Sequence, residues 1–162
     1  MRILKSPLLR VPLVLTFTGI LCRILSYLGG FIWGRIQIAR GPDPVTGAYT
    51  VGSGNLTIVL SVIAFLLFWL AGWRYLRHMT FRQILASATI MVVWYALLLT
   101  AEQVLQARGG YPLWVHTLYA THESCMWVDQ LMFRFFDEVS VRAVIPGLFT
   151  PYLYLVFGRR ST

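Results

Sequence analysis

Eighteen consecutive residues, Leu56 to Trp73, carry no charge. A helix needs about 20 largely apolar residues to cross a hydrocarbon core of about 30 Å. Inside that core only a helix or a closed barrel satisfies its own backbone. Two more runs approach this length, Val11–Trp33, broken once by Arg23, and Gln83–Ala101, fenced by Arg82 and Glu102. A fourth, 139–157, contains Pro146 and Pro151 and begins near Arg142, whose side chain is long enough to snorkel toward headgroups. Only 12% of the residues are charged and 57% are hydrophobic, where a soluble domain carries about 25% charge. The chain therefore reads as an all-α membrane protein, one integral domain over 1–162 built as a four-helix transmembrane bundle.

The placement of charge orients it. Arg2, Lys5, Arg10, Arg74, Arg77, Arg82, Arg159 and Arg160 fall in the N-terminal segment, the second connection and the tail, and none of these holds an acid. Asp43, Glu102, Glu123, Asp129, Asp137 and Glu138 all fall on the other side, with five arginines. Basic residues concentrate on the cytoplasmic face, so both termini are expected in the cytoplasm and the location is the cell membrane. The net charge of +8 is then an orientation signal, and nucleic-acid binding is excluded for want of any motif. The basic start followed by an apolar stretch lacks a small-residue cleavage site before Arg23, and reads as an uncleaved span.

The connections are less regular. The stretch 34–55 is rich in Gly and Pro and suits an irregular outer connector with a short strand at Tyr49–Val51. Thr80 followed by Gln83 matches a capping box that opens span three. Between spans three and four, 121–138 placed on a helical wheel puts His122, Glu123, Asp129, Gln130, Arg134, Asp137 and Glu138 on one half, and Cys125, Val128, Leu131, Met132, Phe135 and Phe136 on the other. With Tyr111, Trp114 and Tyr119 before it, this predicts an amphipathic helix lying on the extracytoplasmic interface as a cap or a lid.

Arg23 is the most informative single residue, because a charge within a span is a functional hypothesis by default. Counted from the inner helix ends it shares a depth with Trp94 and Tyr95, on which a guanidinium stacks or bonds. Glu102 lies about 10 Å further out. Arg23, Trp94, Tyr95 and Glu102 are thus candidates for an anion or headgroup pocket, with a structural ion pair as the alternative. Small residues at Thr18, Cys22, Ser26, Gly30 and Gly34 recur every fourth position and predict a close helix contact, with another span or a second copy. The prolines of span four interrupt its hydrogen bonds, as the broken helices of transporters do.

His122, Glu123 and Asp129 are candidates for acid–base chemistry. His116, His122, Glu123, Cys125 and Asp129 have zinc-ligand chemistry, but the two histidines are six apart and Met126 occupies the second histidine position of H-E-x-x-H, so no metal and no cofactor is expected. Ser124 adjoins His122 and Glu123 without a nucleophile-elbow motif. Cys22 and Cys125 are read as lying at different depths, which argues against paired-thiol chemistry. The functional expectation is a small membrane protein that binds or helps transport a small or lipid-like anionic ligand, as an oligomer or accessory subunit. The rival readings are an extracytoplasmic-face enzyme acting on a lipid-linked or periplasmic substrate, and a structural partner of another membrane protein. The bilayer, and a second copy or another membrane protein, are the expected partners.

Overall fold

The computed structural model describes residues 6–42, 47, 54–110, 117–136 and 141–159. The Tyr49–Val51 strand, the basic Arg2, Lys5 and Arg160, the acids Asp43, Asp137 and Glu138, the aromatics Tyr111 and Trp114, His116 and the start of span four at Val139 lie outside the described residues, as does the side chain of Arg142. Among the described residues there is no strand, and nearly every residue is helical.

Three helices are long and apolar enough to cross a membrane: α1 (Arg10–Ala39), α2 (Gly54–Leu76) and α3 (Phe81–Ala107). Each overruns the apolar stretch that announces it, because helix continues until a stop is supplied. For α3 the stop is Gly109, at φ 76°, followed by Gly110, whose amide returns to the Leu105 carbonyl at 3.1 Å. That pattern is a Schellman cap, and it uses the carbonyls the helix leaves open. At the other end of α3 the capping box forms as expected: Gln83 N donates to Thr80 Oγ1 at 3.4 Å and Thr80 N to Gln83 Oε1 at 3.1 Å. In the most apolar windows of the three helices only 22–33% of the residues are buried. Phe17, Phe31, Leu70 and Leu97 point outward, each more than half exposed. Outward faces this apolar require a non-aqueous surround.

Two shorter helices follow, α4 (Met126–Phe136) and α5 (Val141–Leu148), and α5 continues into a 3-10 helix, Thr150–Phe157. The span expected at 139–157 is therefore not one α-helix. Pro146 and Pro151 each remove a backbone donor, and the chain tightens after Leu148 into a 3-10 form that rarely runs eight residues. Packing holds it there. α1 packs on α2 and α3, and the Thr150–Phe157 segment packs on α3 and α2, which closes the bundle. Tyr154 stacks on Phe68 at 4.1 Å with planes 9° apart. Gly72 makes room: a Cβ there would lie 2.6 Å from the Phe157 ring and 2.7 Å from that of Tyr154.

One end of the bundle gathers the chain start, the α2–α3 turn and the tail. Ser87 Oγ donates to the Leu8 carbonyl at 2.6 Å and accepts from Val11 N at 3.1 Å. Arg159 N donates to the Met79 carbonyl at 3.0 Å, and Phe81 N to the Arg159 carbonyl at 3.1 Å.

The small-residue stripe does not pack as a unit within the chain. Thr18 and Cys22 are buried, but an added Cβ at Gly30 or Gly34 would meet nothing within 4 Å. Four residues advance about 400° around an α-helix, so a four-residue repeat drifts about 40° per step and about 160° from position 18 to 34. The stripe winds off the packed face. Instead, Gly29 meets Leu56 and Leu60 of α2, and Gly19 meets the segment that enters the bundle.

Candidate functional site

After α3 the chain is next described at Thr117, and from there it runs back into the bundle rather than along its outer edge. Three polar side chains hold it in steps. Arg23 of α1 reaches the Thr117 carbonyl at 3.5 Å, Glu102 of α3 accepts from the Tyr119 hydroxyl at 2.7 Å, and Tyr95 of α3 donates to the Thr121 carbonyl at 2.7 Å. Glu102 to Tyr95 is seven residues, about 10 Å along the helix, so the segment descends to mid-α3. Gly19 clears its path, since a Cβ there would overlap the Ala120 carbonyl.

The helix expected at 121–138 accordingly divides into 3-10 turns at Tyr119–Thr121 and Glu123–Cys125, and then α4. Ser124 and Cys125 are fully buried, and His122 nearly so. The stretch 122–125 is thus packed inside the bundle, whereas α4 keeps Leu131 and Phe135 exposed. The wheel argument assigns polar residues to water, whereas His122 and Asp129 satisfy each other inside. α4 then climbs back beside α2. Trp127 packs edge-on against Phe65 at 5.1 Å and Phe68 at 6.0 Å, and Gln130 and Arg134 share a groove with Ser61 and Thr57. Cys125 and Cys22 both lie buried where this segment contacts α1, close enough for the one thiol to act on the other electrostatically.

At the bottom of the descent His122 Nε2 lies 3.0 Å from Asp129 Oδ2. The Tyr95 ring meets the imidazole edge-on at 4.7 Å, and the Cys125 thiol lies beside the same ring. Gly147 of α5 closes the far side, packed so tightly that a Cβ would overlap the Asp129 carboxylate. Asp129 Oδ1 is buried without a hydrogen-bond partner among the described residues, while the second nitrogen of the His122 ring has the Cys125 thiol as its polar neighbour. Trp127 Nε1, Thr150 Oγ1 and Trp69 Nε1 are likewise buried without a partner among the described residues, while the Tyr154 hydroxyl has the Thr18 side chain as its polar neighbour. Buried polar atoms are ordinarily paired, so the open Asp129 oxygen beside His122 is a group with capacity for a further proton or hydrogen-bond donor.

The remaining candidates are dispersed. Glu123 is half-buried and close enough to Cys22 to act on it electrostatically. Trp94 lies on the exposed face of α3, and the ring beneath the Arg23 guanidinium is Tyr27, at 5.8 Å. Arg23 and Glu102 serve different parts of the returning segment instead of meeting in a pocket. Among the described residues no three His, Cys, Asp or Glu side chains converge as a metal site. Sequence reasoning did not single out Gly19, Gly147, Thr150 or Tyr154 as parts of a centre. The spacing of Gly147, Thr150 and Tyr154, three and then four apart, puts them on one helical face and was the available signal. Comparison with protein-family models, curated proteins and solved structures finds no match for this chain.

Proposed function

We propose that the chain crosses the cell membrane four times with both termini in the cytoplasm, and that it binds or helps transport a small anionic ligand with the His122–Asp129 pair as its protonatable centre. The observation that carries this reading is the pair itself, 3.0 Å apart at mid-bundle level, with the second Asp129 oxygen left open. Ionisable side chains within a membrane bundle mark ion and substrate paths, and His–carboxylate chains serve as proton relays. When the pair takes up a second proton, on Asp129, the imidazolium's positive charge is left for an anion. The topology is supported by Arg10, Arg74, Arg77, Arg82 and Arg159, which gather at one end of the bundle without an acid. A bundle this small leaves little room for a path through its own core, so an oligomer or a partner protein completes it.

The test is proton movement in proteoliposomes loaded with the pH dye pyranine and given inward gradients of chloride, nitrate, formate or phosphate. At least one anion should drive dye response through the wild-type protein, and His122→Gln and Asp129→Asn, each folded as judged by its melting curve, should lose it. A response indistinguishable from empty liposomes for all four anions, or one retained in both variants, would sink the reading. The enzymatic alternative has one specific observation in its favour: Cys125 lies beside a histidine whose other nitrogen engages a carboxylate, the order of nucleophile, base and orienting acid. Cys125→Ala separates the two, because a transport centre keeps its flux without the thiol.

A further inference from the structure

A groove on the outer face of α1 and α2, lined by neither His122 nor Asp129, has the shape and charge of a lipid site. At the end of the bundle that holds Ser6 and Arg159, Arg10, Phe17, Ala71, Arg74 and Tyr75 line a space of about 520 Å³. A second space of about 550 Å³ shares Phe17, Ala71, Arg74 and Tyr75 and carries the groove on to Ile24. From Arg10 to Ile24 is about 21 Å on a helical rise, enough to take an acyl chain through one leaflet, half of a hydrocarbon core of about 30 Å. The walls are apolar, and the only formal charges are the two guanidiniums at the mouth.

Neither arginine has an acidic partner among the described residues, and Arg74 lies over the Tyr75 ring at 5.9 Å. Arg10 is also the first residue of α1, where the helix dipole is positive and a cation is disfavoured. Two unneutralised guanidiniums, one of them opposed by a helix dipole, above an acyl-length apolar trough define an occupant with an anionic head and a hydrocarbon tail. We infer that this groove holds an anionic phospholipid of the leaflet at this end of the bundle, its phosphate between Arg10 and Arg74 and one chain lying along Phe17 and Ala71 toward Ile24. Basic pockets between transmembrane helices on the cytoplasmic side recognise lipid headgroups in this way.

The experiment is native mass spectrometry of the full chain titrated with equimolar palmitoyl-oleoyl phosphatidylglycerol and phosphatidylcholine. Two arginines at a membrane surface should give a preference for phosphatidylglycerol of roughly thirtyfold, and Arg10→Gln or Arg74→Gln should each reduce it roughly fivefold. Arg82→Gln, basic and at the same end but outside the groove, should leave it unchanged. Ala71→Phe, which fills the trough, should lower occupancy by both lipids. Equal loss with Arg82→Gln would show diffuse surface attraction and overturn the site. So would complete displacement of phosphatidylglycerol by excess inorganic phosphate, which would make the arginines a plain anion site. A change of copy number rather than lipid count in Ala71→Phe would assign the groove to a second copy of the chain and equally end the proposal.

Discussion

Gly147 of α5 sits against the carboxylate of Asp129 on α4, with no room between them for a methyl group. The glycine therefore fixes where the His122–Asp129 pair lies, and the last segment of the chain closes over a centre that the returning segment builds. Gly147→Ala should push the carboxylate away from His122 or separate α5 from α4. Overpacking of this kind costs about 1 to 3 kcal/mol. Measured unfolding in mixed micelles should show that loss, and an unchanged profile would mean that α5 does not seat on the pair.

Gly19 makes the corresponding prediction on the other side. An added methyl group there would strike the backbone carbonyl of Ala120, which cannot rotate away as a side chain can. Gly19→Ala should destabilise the protein by about 1 to 3 kcal/mol, whereas Gly30→Ala, facing open space in the chain, should be neutral or stabilising by up to about 1 kcal/mol through helix propensity. The opposite order in a thermal-shift comparison of the two variants would show that the stripe, rather than the returning segment, is the tight contact.

The three long helices were legible in the sequence because uninterrupted apolar length has few other uses, and the Thr80–Gln83 cap because its chemistry is local. The returning segment was not, because its cause is tertiary. A wheel for 121–138 assigns His122 and Asp129 to water on polarity alone, and nothing local reveals that a partner seven residues on removes the need for water. Arg23, Tyr95 and Glu102 stand out in the sequence as polar groups among apolar ones, yet which backbone they hold depends on how a distant stretch folds back. Trp94, one residue from Tyr95, turns about 100° away on the helix and faces outward.

Tyr95 offers a direct measure of that anchoring. Its hydroxyl is the donor to the Thr121 carbonyl, and its ring supports the imidazole. Tyr95→Phe keeps the ring and leaves a buried carbonyl without its donor, a loss of about 1 to 3 kcal/mol. Tyr95→Leu removes both and should cost more, with faster hydrogen exchange confined to 119–125. Uniform exchange across the bundle would instead place Tyr95 in the general core.

Topology is tested by cysteine labelling in a Cys22→Ala, Cys125→Ala background. His78 in the α2–α3 turn and Gln106 near the end of α3 are both exposed and lie at opposite ends of the bundle. With the basic end cytoplasmic, Gln106→Cys should react with an impermeant maleimide on intact cells and His78→Cys only after lysis. In the native background Cys22 and Cys125 should stay unreactive until the fold opens, since both are buried. Labelling of His78→Cys from outside would invert the orientation.

The His122–Asp129 pair yields the most discriminating comparison, because stability and function respond to it differently. His122→Leu leaves a buried carboxylate without its partner, a change that costs about 3 to 5 kcal/mol when the charge persists. Asp129→Leu leaves an imidazole that can discharge by losing its proton, and should cost less. Removing both, in His122→Leu, Asp129→Leu, takes away the desolvated pair altogether and should recover most of the loss, since apolar replacements of buried ion pairs are often neutral or better. The coupling requires all four members of the cycle measured in one unfolding assay. If the pair only holds α4 against the 3-10 turns, the recovered double variant should also recover dye response in proteoliposomes. A double variant as stable as wild type but silent in that assay is the expected outcome, and it would place the function in the two titratable groups themselves.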